Sequence, residues 1–174
     1  MNMSAEGRDA IIRYATGACP LGSILVASSD KGVCAILLGD DPGTLLDQLR
    51  DRFPYTTMTI GDEELAGLVA KVVAYIEAPV CGLELPLDIK GTLFQRRVWQ
   101  VLRRIPAGST LSYADVAGRV GSPKAVRAVA QACAQNAIAV AIPCHRVVRS
   151  DGALAGYRWG VARKQALLAK EATR

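Results

Sequence analysis

Apolar positions in the first forty residues come in short runs separated by turn residues, a pattern of strands rather than helices. Residues 11–15, 23–27 and 32–38 are rich in apolar and β-branched side chains. Gly17, Pro20-Leu21-Gly22 and Asp30-Lys31-Gly32 punctuate them as turns. A three-stranded antiparallel meander is predicted. The period then changes to that of helix, over about 42–53 and again over about 62–77. In the second helix Leu65, Leu68, Val69, Val72, Val73 and Ile76 recur at i, i+3, i+4 and i+7 spacing. Nothing in this half has catalytic spacing, so it reads as a scaffold.

Pro79, Gly82 and Pro86 break helix between Ala78 and Gly91, which divides the chain into domains of residues 1–85 and 86–174. Thr92 with Gln95 three residues on is a capping box, predicting a helix through Phe94, Val98, Trp99 and Leu102 to Ile105. Ser112 caps a short helix over 113–120 that Gly121 stops. Ser122, with Pro123 at the first position, predicts another running to about Gln135. Two helices joined by so short a turn form a helix-turn-helix unit. In the second of them Val126, Val129, Ala130 and Cys133 share one face. Lys124, Arg127, Gln131 and Gln135 take the other, with Ala128 beside Arg127. Cationic, amide and small residues suit close approach to a DNA backbone and groove. On pattern alone a solvated polar face fits equally well.

Further on, Val147-Val148-Arg149 and Ala153-Leu154-Ala155 flank Ser150-Asp151-Gly152, a tight-hairpin signal. Gly156-Tyr157-Arg158-Trp159-Gly160 reads as a loop, followed by a last helix over about 161–171. Val161, Lys164, Leu168 and Glu171 line up on one side of it. A carboxylate on an apolar stripe needs a partner, for which His145 is a candidate, unless the helix end lies in solvent.

Composition narrows the class. Of 174 residues 51% are hydrophobic, enough to bury a core. No apolar run approaches the roughly 20 residues of a membrane span, and residues 1–7 lack a charged-then-apolar signal pattern. A cytoplasmic protein without membrane association is expected. The five cysteines, Cys19, Cys34, Cys81, Cys133 and Cys144, are odd in number and contain no C-x-x-C pair. With one histidine they offer few ligands for a metal, and none is expected. The net charge of +5 conceals a division. Residues 1–90 hold 7 Lys+Arg and 13 Asp+Glu, a balance of −6, whereas residues 91–174 hold 14 and 3, a balance of +11. So lopsided an excess points to a polyanion, nucleic acid above all, at the second half.

The chemistry concentrates in Ile142-Pro143-Cys144-His145-Arg146-Val147, where a thiol adjoins the chain's single imidazole. A thiol of pKa about 8.5 is little ionised at neutrality, and an imidazole of about 6.5 can take its proton. Neighbours in extended chain point apart, so a bend at Pro143 or a bridging water is needed. Glu171 close to His145 would fix its tautomer and stabilise the imidazolium. Such a relay resembles a cysteine hydrolase, but hydrolysis gains nothing from a helix-turn-helix or a balance of +11. A thiolate held against DNA suits displacement at an electrophilic carbon on a base or phosphate.

With Asn136 upstream and Gly156-Tyr157-Arg158-Trp159-Gly160 downstream, the cysteine motif resembles the O6-alkylguanine-DNA alkyltransferases, in particular the C-terminal methyltransferase half of their Ada branch. The likeness extends through residues 32–41, 86–92 and 124–130. It implies an α+β fold with an N-terminal three-stranded antiparallel sheet, flanking helices, and a mainly helical, winged helix-turn-helix-like C-terminal domain. It implies DNA repair by irreversible, single-turnover transfer of an alkyl group from O6-alkylguanine, and from O4-alkylthymine, to Cys144. No cofactor is implied, and the partner is double-stranded DNA met by a monomer through the minor groove.

By the same resemblance His145 takes the thiol proton through a water, Glu171 supports it, and Asn136 links the recognition helix to the active-site turn. Arg127, with Ala128 beside it, enters the duplex and fills the space of the flipped-out guanine. Tyr113 protonates guanine N3 as the alkyl group leaves. Val147, Val148, Tyr157 and the Arg158 backbone surround the base, and Lys164 stands near the site. Ala137 stands where many relatives have proline, which predicts a looser turn. Rival readings are a lesion-binding module and an operator-binding regulator, neither of which transfers an alkyl group.

Overall fold

The computed structural model describes residues 11–79, 82–154 and 156–172. Residues 1–7, Cys81 and Ala155, on which the signal pattern, the cysteine count and the hairpin partly bear, lie outside them. Strands β1 (Ile11–Cys19), β2 (Gly22–Ser28) and β3 (Val33–Gly39) form the antiparallel meander. Two features differ from expectation. Gly17 is no turn: β1 runs through it, pairing it with Ile24. A Cβ there would come within 2.9 Å of Val69, so the glycine admits the helix that packs on this face. A fourth strand, β4 (Thr57–Ile60), also joins β1 in parallel, giving the order β3-β2-β1-β4.

Helix α1 (Pro42–Arg52) is capped by Asp41, and α2 (Glu63–Glu77) by Asp62, each accepting a backbone N–H three residues on. Leu45 and Leu49 of α1, and Leu65, Val69, Val72 and Ile76 of α2, are buried against the sheet. Each contributes roughly 1.5–3 kcal/mol of hydrophobic stabilisation.

Strand β3 lies at the sheet edge yet is almost wholly buried. The linker covers one stretch of that edge: Val33 N–H donates to Pro86 O, and Asp88 N–H to Val33 O, both at 2.8 Å. The loop before Cys144 covers another, through Ile36 N–H to Ala137 O and Ala139 N–H to Ile36 O at 2.9 Å. Backbone groups that would otherwise be left open thus attach the reactive segment to the N-terminal sheet.

In the second half α3 (Leu93–Arg103) has the predicted capping box and buries Val98, Trp99 and Leu102. Strand β5 (Leu111–Ser112) leads into α4 (Tyr113–Val120), capped by Ser112 and ended by Gly121 at φ 89°. Helix α5 (Val126–Ala134) begins later than predicted, and Ser122 is not its cap. Ser122 N–H instead donates to Ala117 O, closing the C-terminus of α4, and its carbonyl accepts from Ala125 in a turn over Pro123-Lys124. Strand β6 (Val147–Val148) pairs in parallel with β5. The Asp151-Gly152 signal yields a turn closed by Arg149 N–H to Ala153 O, without a strand after it among the described residues. In α6 (Val161–Ala172) the buried stripe is Lys164, Leu167 and Glu171, while Val161 is exposed and Leu168 half-buried. No helix among the described residues is long and apolar enough to cross a membrane.

Candidate active site

Cys144, His145 and Arg146 form a 3-10 turn behind Pro143, not extended chain. The loop before it is tightly held. Val140 sits at φ 61°, a left-handed conformation that costs a β-branched residue on the order of 1–3 kcal/mol. The bonds to Ile36 and the Ile142 N–H to Ile138 O bond hold the segment around it. The Ala137 carbonyl, accepting from Ile36 N–H, belongs to this held segment. Asn136 is fully buried and organises the same loop. Its Oδ1 accepts from Ile138 N–H at 2.9 Å, and its Nδ2 donates to Ile142 O at 2.9 Å and to Cys144 Sγ at 3.3 Å. Burial pushes the Cys144 thiol up to about 11, with the Asn136 hydrogen bond and the Lys164 charge pulling the other way. At rest the group is a thiol.

Behind it lies a buried relay. His145 Nε2 donates to Glu171 Oε2 at 3.0 Å, and Nδ1 is buried without a hydrogen bond among the described residues. Arg146 grips the same carboxylate with Nε at 3.0 Å from Oε1 and Nη2 at 2.6 Å from Oε2. It also donates to Ile105 O at 2.6 Å and to Tyr75 OH at 2.8 Å. Burial disfavours the Glu171 charge, but the bonds from His145 and Arg146 outweigh it and hold the carboxyl at about 2. An ionised carboxylate only accepts, so the His145 proton sits on Nε2 and Nδ1 keeps its lone pair. Burial lowers the His145 pKa against the pull of Glu171, so the ring is neutral at neutral pH. Glu171 therefore ends a helix in a buried network, not in solvent.

On the other side of Cys144 opens a largely apolar cleft of about 510 Å³. Tyr113, Arg127, Cys144, Tyr157 and Arg158 line it, bringing together residues from α4, α5, the reactive turn and the following loop. Val126, Ala130, Cys133, Ala134 and Arg149 also line it, and the sequence reading gave none of them that role. The predicted apolar face of α5 is in fact divided. Val129, Ala132 and Cys133 face the core, while Val126 and Ala130 are exposed at the cleft. Val147 and Val148 do not line the cleft; they are buried in β6. Ala128 is half-buried and not among the lining residues, and Lys124, Gln131 and Gln135 are exposed.

Burial raises the Tyr113 hydroxyl to about 12, and Tyr157 well above its ordinary value, so both are protonated donors at neutral pH. Lys164 is fully buried, its Nζ 5.9 Å from the centre of the Tyr113 ring. The Arg158 side chain braces the loop of Asn136, its Nη1 donating to Asn136 O at 2.7 Å. Arg146 was present in the motif without an assigned role. An arginine adjoining the reactive pair was its one signal, whereas Tyr75 lies 71 residues away and offered none.

The family description "6-O-methylguanine DNA methyltransferase, ribonuclease-like domain" matches residues 12–89, and its "DNA binding domain" matches residues 93–173. The chain is 53% identical over 166 residues to the bifunctional transcriptional activator/DNA repair enzyme Ada of Escherichia coli, covering 95% of this chain and 47% of that protein. It thus spans about half the length of that relative, and likewise of the regulatory protein ada of Salmonella typhimurium. A methylated-DNA–protein-cysteine methyltransferase of Mycolicibacterium paratuberculosis is 37% identical, with 92% of this chain and 93% of that protein covered. Among solved structures, Mycobacterium tuberculosis OGT in complex with DNA superposes with a TM-score of 0.78 at 34% identity, over 92% of this chain and 93% of that one.

Proposed function

The chain belongs to the 6-O-methylguanine DNA methyltransferase family, and from that premise we propose that it repairs O6-alkylguanine in DNA, and O4-alkylthymine, by irreversible transfer of the alkyl group to Cys144. One observation carries the proposal. A buried thiol backed by a neutral histidine faces a cleft to which the exposed Arg127 of a helix-turn-helix also contributes.

The geometry suggests a sequence of steps. A base inside a duplex cannot reach a buried thiol, so the nucleotide must flip out, at a few kcal/mol. Arg127 fills the vacated space, adding charge and stacking area. Ala128, Ala130 and Ala134 let the backbone of α5 lie close to the duplex. The Cys144 proton passes through a water to His145 Nδ1, and Glu171 stabilises the imidazolium that results. Sγ then attacks the alkyl carbon, the carbon–O6 bond breaks, and the electron pair stays on guanine. Tyr113 protonates N3 as this charge develops. Tyr157 and Arg158 wall the base pocket, Val147 and Val148 support the reactive turn from the buried β6 rather than lining the pocket, and Lys164 lends positive charge near Sγ. S-alkylation needs no cofactor, and a thioether does not revert, so each molecule acts once.

In this scheme residues 1–85 form the scaffold and residues 86–174 bind DNA and accept the alkyl group. The protein works in the cytoplasm as a monomer on double-stranded DNA. A lesion- or operator-binding regulator that transfers nothing is disfavoured by the Asn136 and His145–Glu171 arrangements around the thiol. Intact-mass measurement after incubation with an O6-methylguanine oligonucleotide tests the proposal. One added methyl, mapped to Cys144 and missing from Cys144→Ala, is expected; an unchanged mass for folded protein would exclude transfer.

A further inference from the structure

The N-terminal sheet has no residue in the cleft, yet one side chain joins the two. Arg163, in the first turn of α6, spends its guanidinium on three separate segments. Nε donates to Leu21 O at 2.8 Å, in the turn between β1 and β2. Nη2 forms an ion pair with Asp40 at the end of β3, and Nη1 donates to Trp159 O at 3.0 Å. The turn is shaped to receive it. Gly22 has φ 114°, and a Cβ there would stand 2.6 Å from Gly39 O and 3.3 Å from Arg163 Nη2.

From Trp159 the contacts continue into the cleft. Its ring is buried, packs edge-on to Tyr157 with centroids 5.3 Å apart, and lies 5.4 Å from the Arg158 guanidinium. Tyr157 and Arg158 line the cleft from this loop together with Gly156, and Arg158 holds the Asn136 carbonyl. Asn136 in turn bonds Cys144 Sγ. A continuous path of polar and ring contacts therefore runs from Asp40 to the reactive sulfur.

We propose that Arg163 is a positioning residue, fastening the cleft wall of Tyr157 and Arg158 to the N-terminal sheet so that a flipped base meets Sγ in line. This rests on the alkyl-transfer reading above. Arg163 itself touches neither the cleft nor the helix-turn-helix. Its loss should therefore slow the chemical step and spare DNA affinity, because small misplacements of reacting groups are costly.

The test is single-turnover methyl transfer from an O6-methylguanine duplex at saturating protein, with duplex affinity measured in parallel. For Arg163→Gln the first-order rate should fall about tenfold while the dissociation constant stays within about twofold. Arg163→Lys keeps the charge but lacks the planar fork that serves three acceptors, so it should not restore the rate. In a Trp99→Phe background the remaining Trp159 emission should shift to the red in Arg163→Gln, reporting a loosened loop without reference to activity. Should Arg163→Gln not fold, Asp40→Asn, at an exposed carboxylate, should show the same direction of change in rate and emission. A full transfer rate in Arg163→Gln or Arg163→Lys, or a loss confined to DNA affinity, would overturn the inference. Absence of transfer by the unsubstituted protein would instead count against the repair reading, leaving the emission shift to judge the tether.

Discussion

Three buried charged or titratable side chains, His145, Arg146 and Glu171, meet at the back of the reactive turn, and their pairing decides how the site responds to acid. A carboxylate taken out of water is tolerable only when bonded on most of its lone pairs, as Glu171 is. Its folded pKa of about 2 lies below the ordinary 4.5. It therefore contributes stability that is fully present above 4.5 and lost as pH falls towards 2. His145 is also lowered in the fold, from 6.5, so the unfolded chain binds that proton first and stability already declines as pH drops through 6.5. Both act in the same direction. Urea unfolding followed from about pH 8 to about pH 3 should show a shallow loss beginning near 6.5 and a steeper one below 4.5, the latter on the order of 2–3 kcal/mol. Glu171→Gln should remove the steeper loss while costing about 3 kcal/mol at neutral pH, since it strands the Arg146 charge. A pH-independent unfolding midpoint would contradict this account.

At the scale of elements, the helix-turn-helix and the reactive turn share one cleft but do different work. In the proposed reaction Arg127 acts on the duplex, whereas Cys144 and His145 act on the alkylated base. Arg127→Ala should therefore slow transfer from duplex O6-methylguanine about tenfold or more, because flipping costs a few kcal/mol. Transfer from the free base should change by less than about twofold, since nothing is flipped there. Equal losses, measured by the same intact-mass assay over time, would deny the helix a flipping role. Features set by neighbouring residues were legible in advance: the box at Thr92, the cap at Ser112, the Gly121 stop and the stripe of α2 all follow from local spacing. Features set by distant chain were not. Thr57–Ile60 alternates polar and apolar, but over only four residues, too short a run to declare a strand alone, and becomes one on the free edge of β1. Ser122 carries the marks of a cap, but α4 uses its backbone first. Glu171 was legible as a carboxylate on an apolar stripe in want of a partner. Arg163 has no such signal, since two of its three acceptors, Leu21 and Asp40, come from the other end of the chain.

Over the whole molecule the division of charge, −6 against +11, matters more than the net +5. A phosphate backbone should be drawn to the half that carries Lys124 and Arg127 and repelled by the sheet half, which orients the encounter before any base is read. Attraction of this kind works by counterion release, so log affinity for undamaged duplex should fall linearly with log salt, at about −0.9 per phosphate neutralised. If Lys124, exposed in the turn before α5, meets a phosphate, Lys124→Gln should make that slope shallower by about one. Lys31→Gln, exposed between β2 and β3, removes the same charge from the acidic half and should leave the slope as it was. Fluorescence anisotropy between about 50 and 200 mM salt separates the two. Equal changes in both variants would mean that binding responds to net charge alone, and the orientation attributed to the basic half would then have no electrostatic basis.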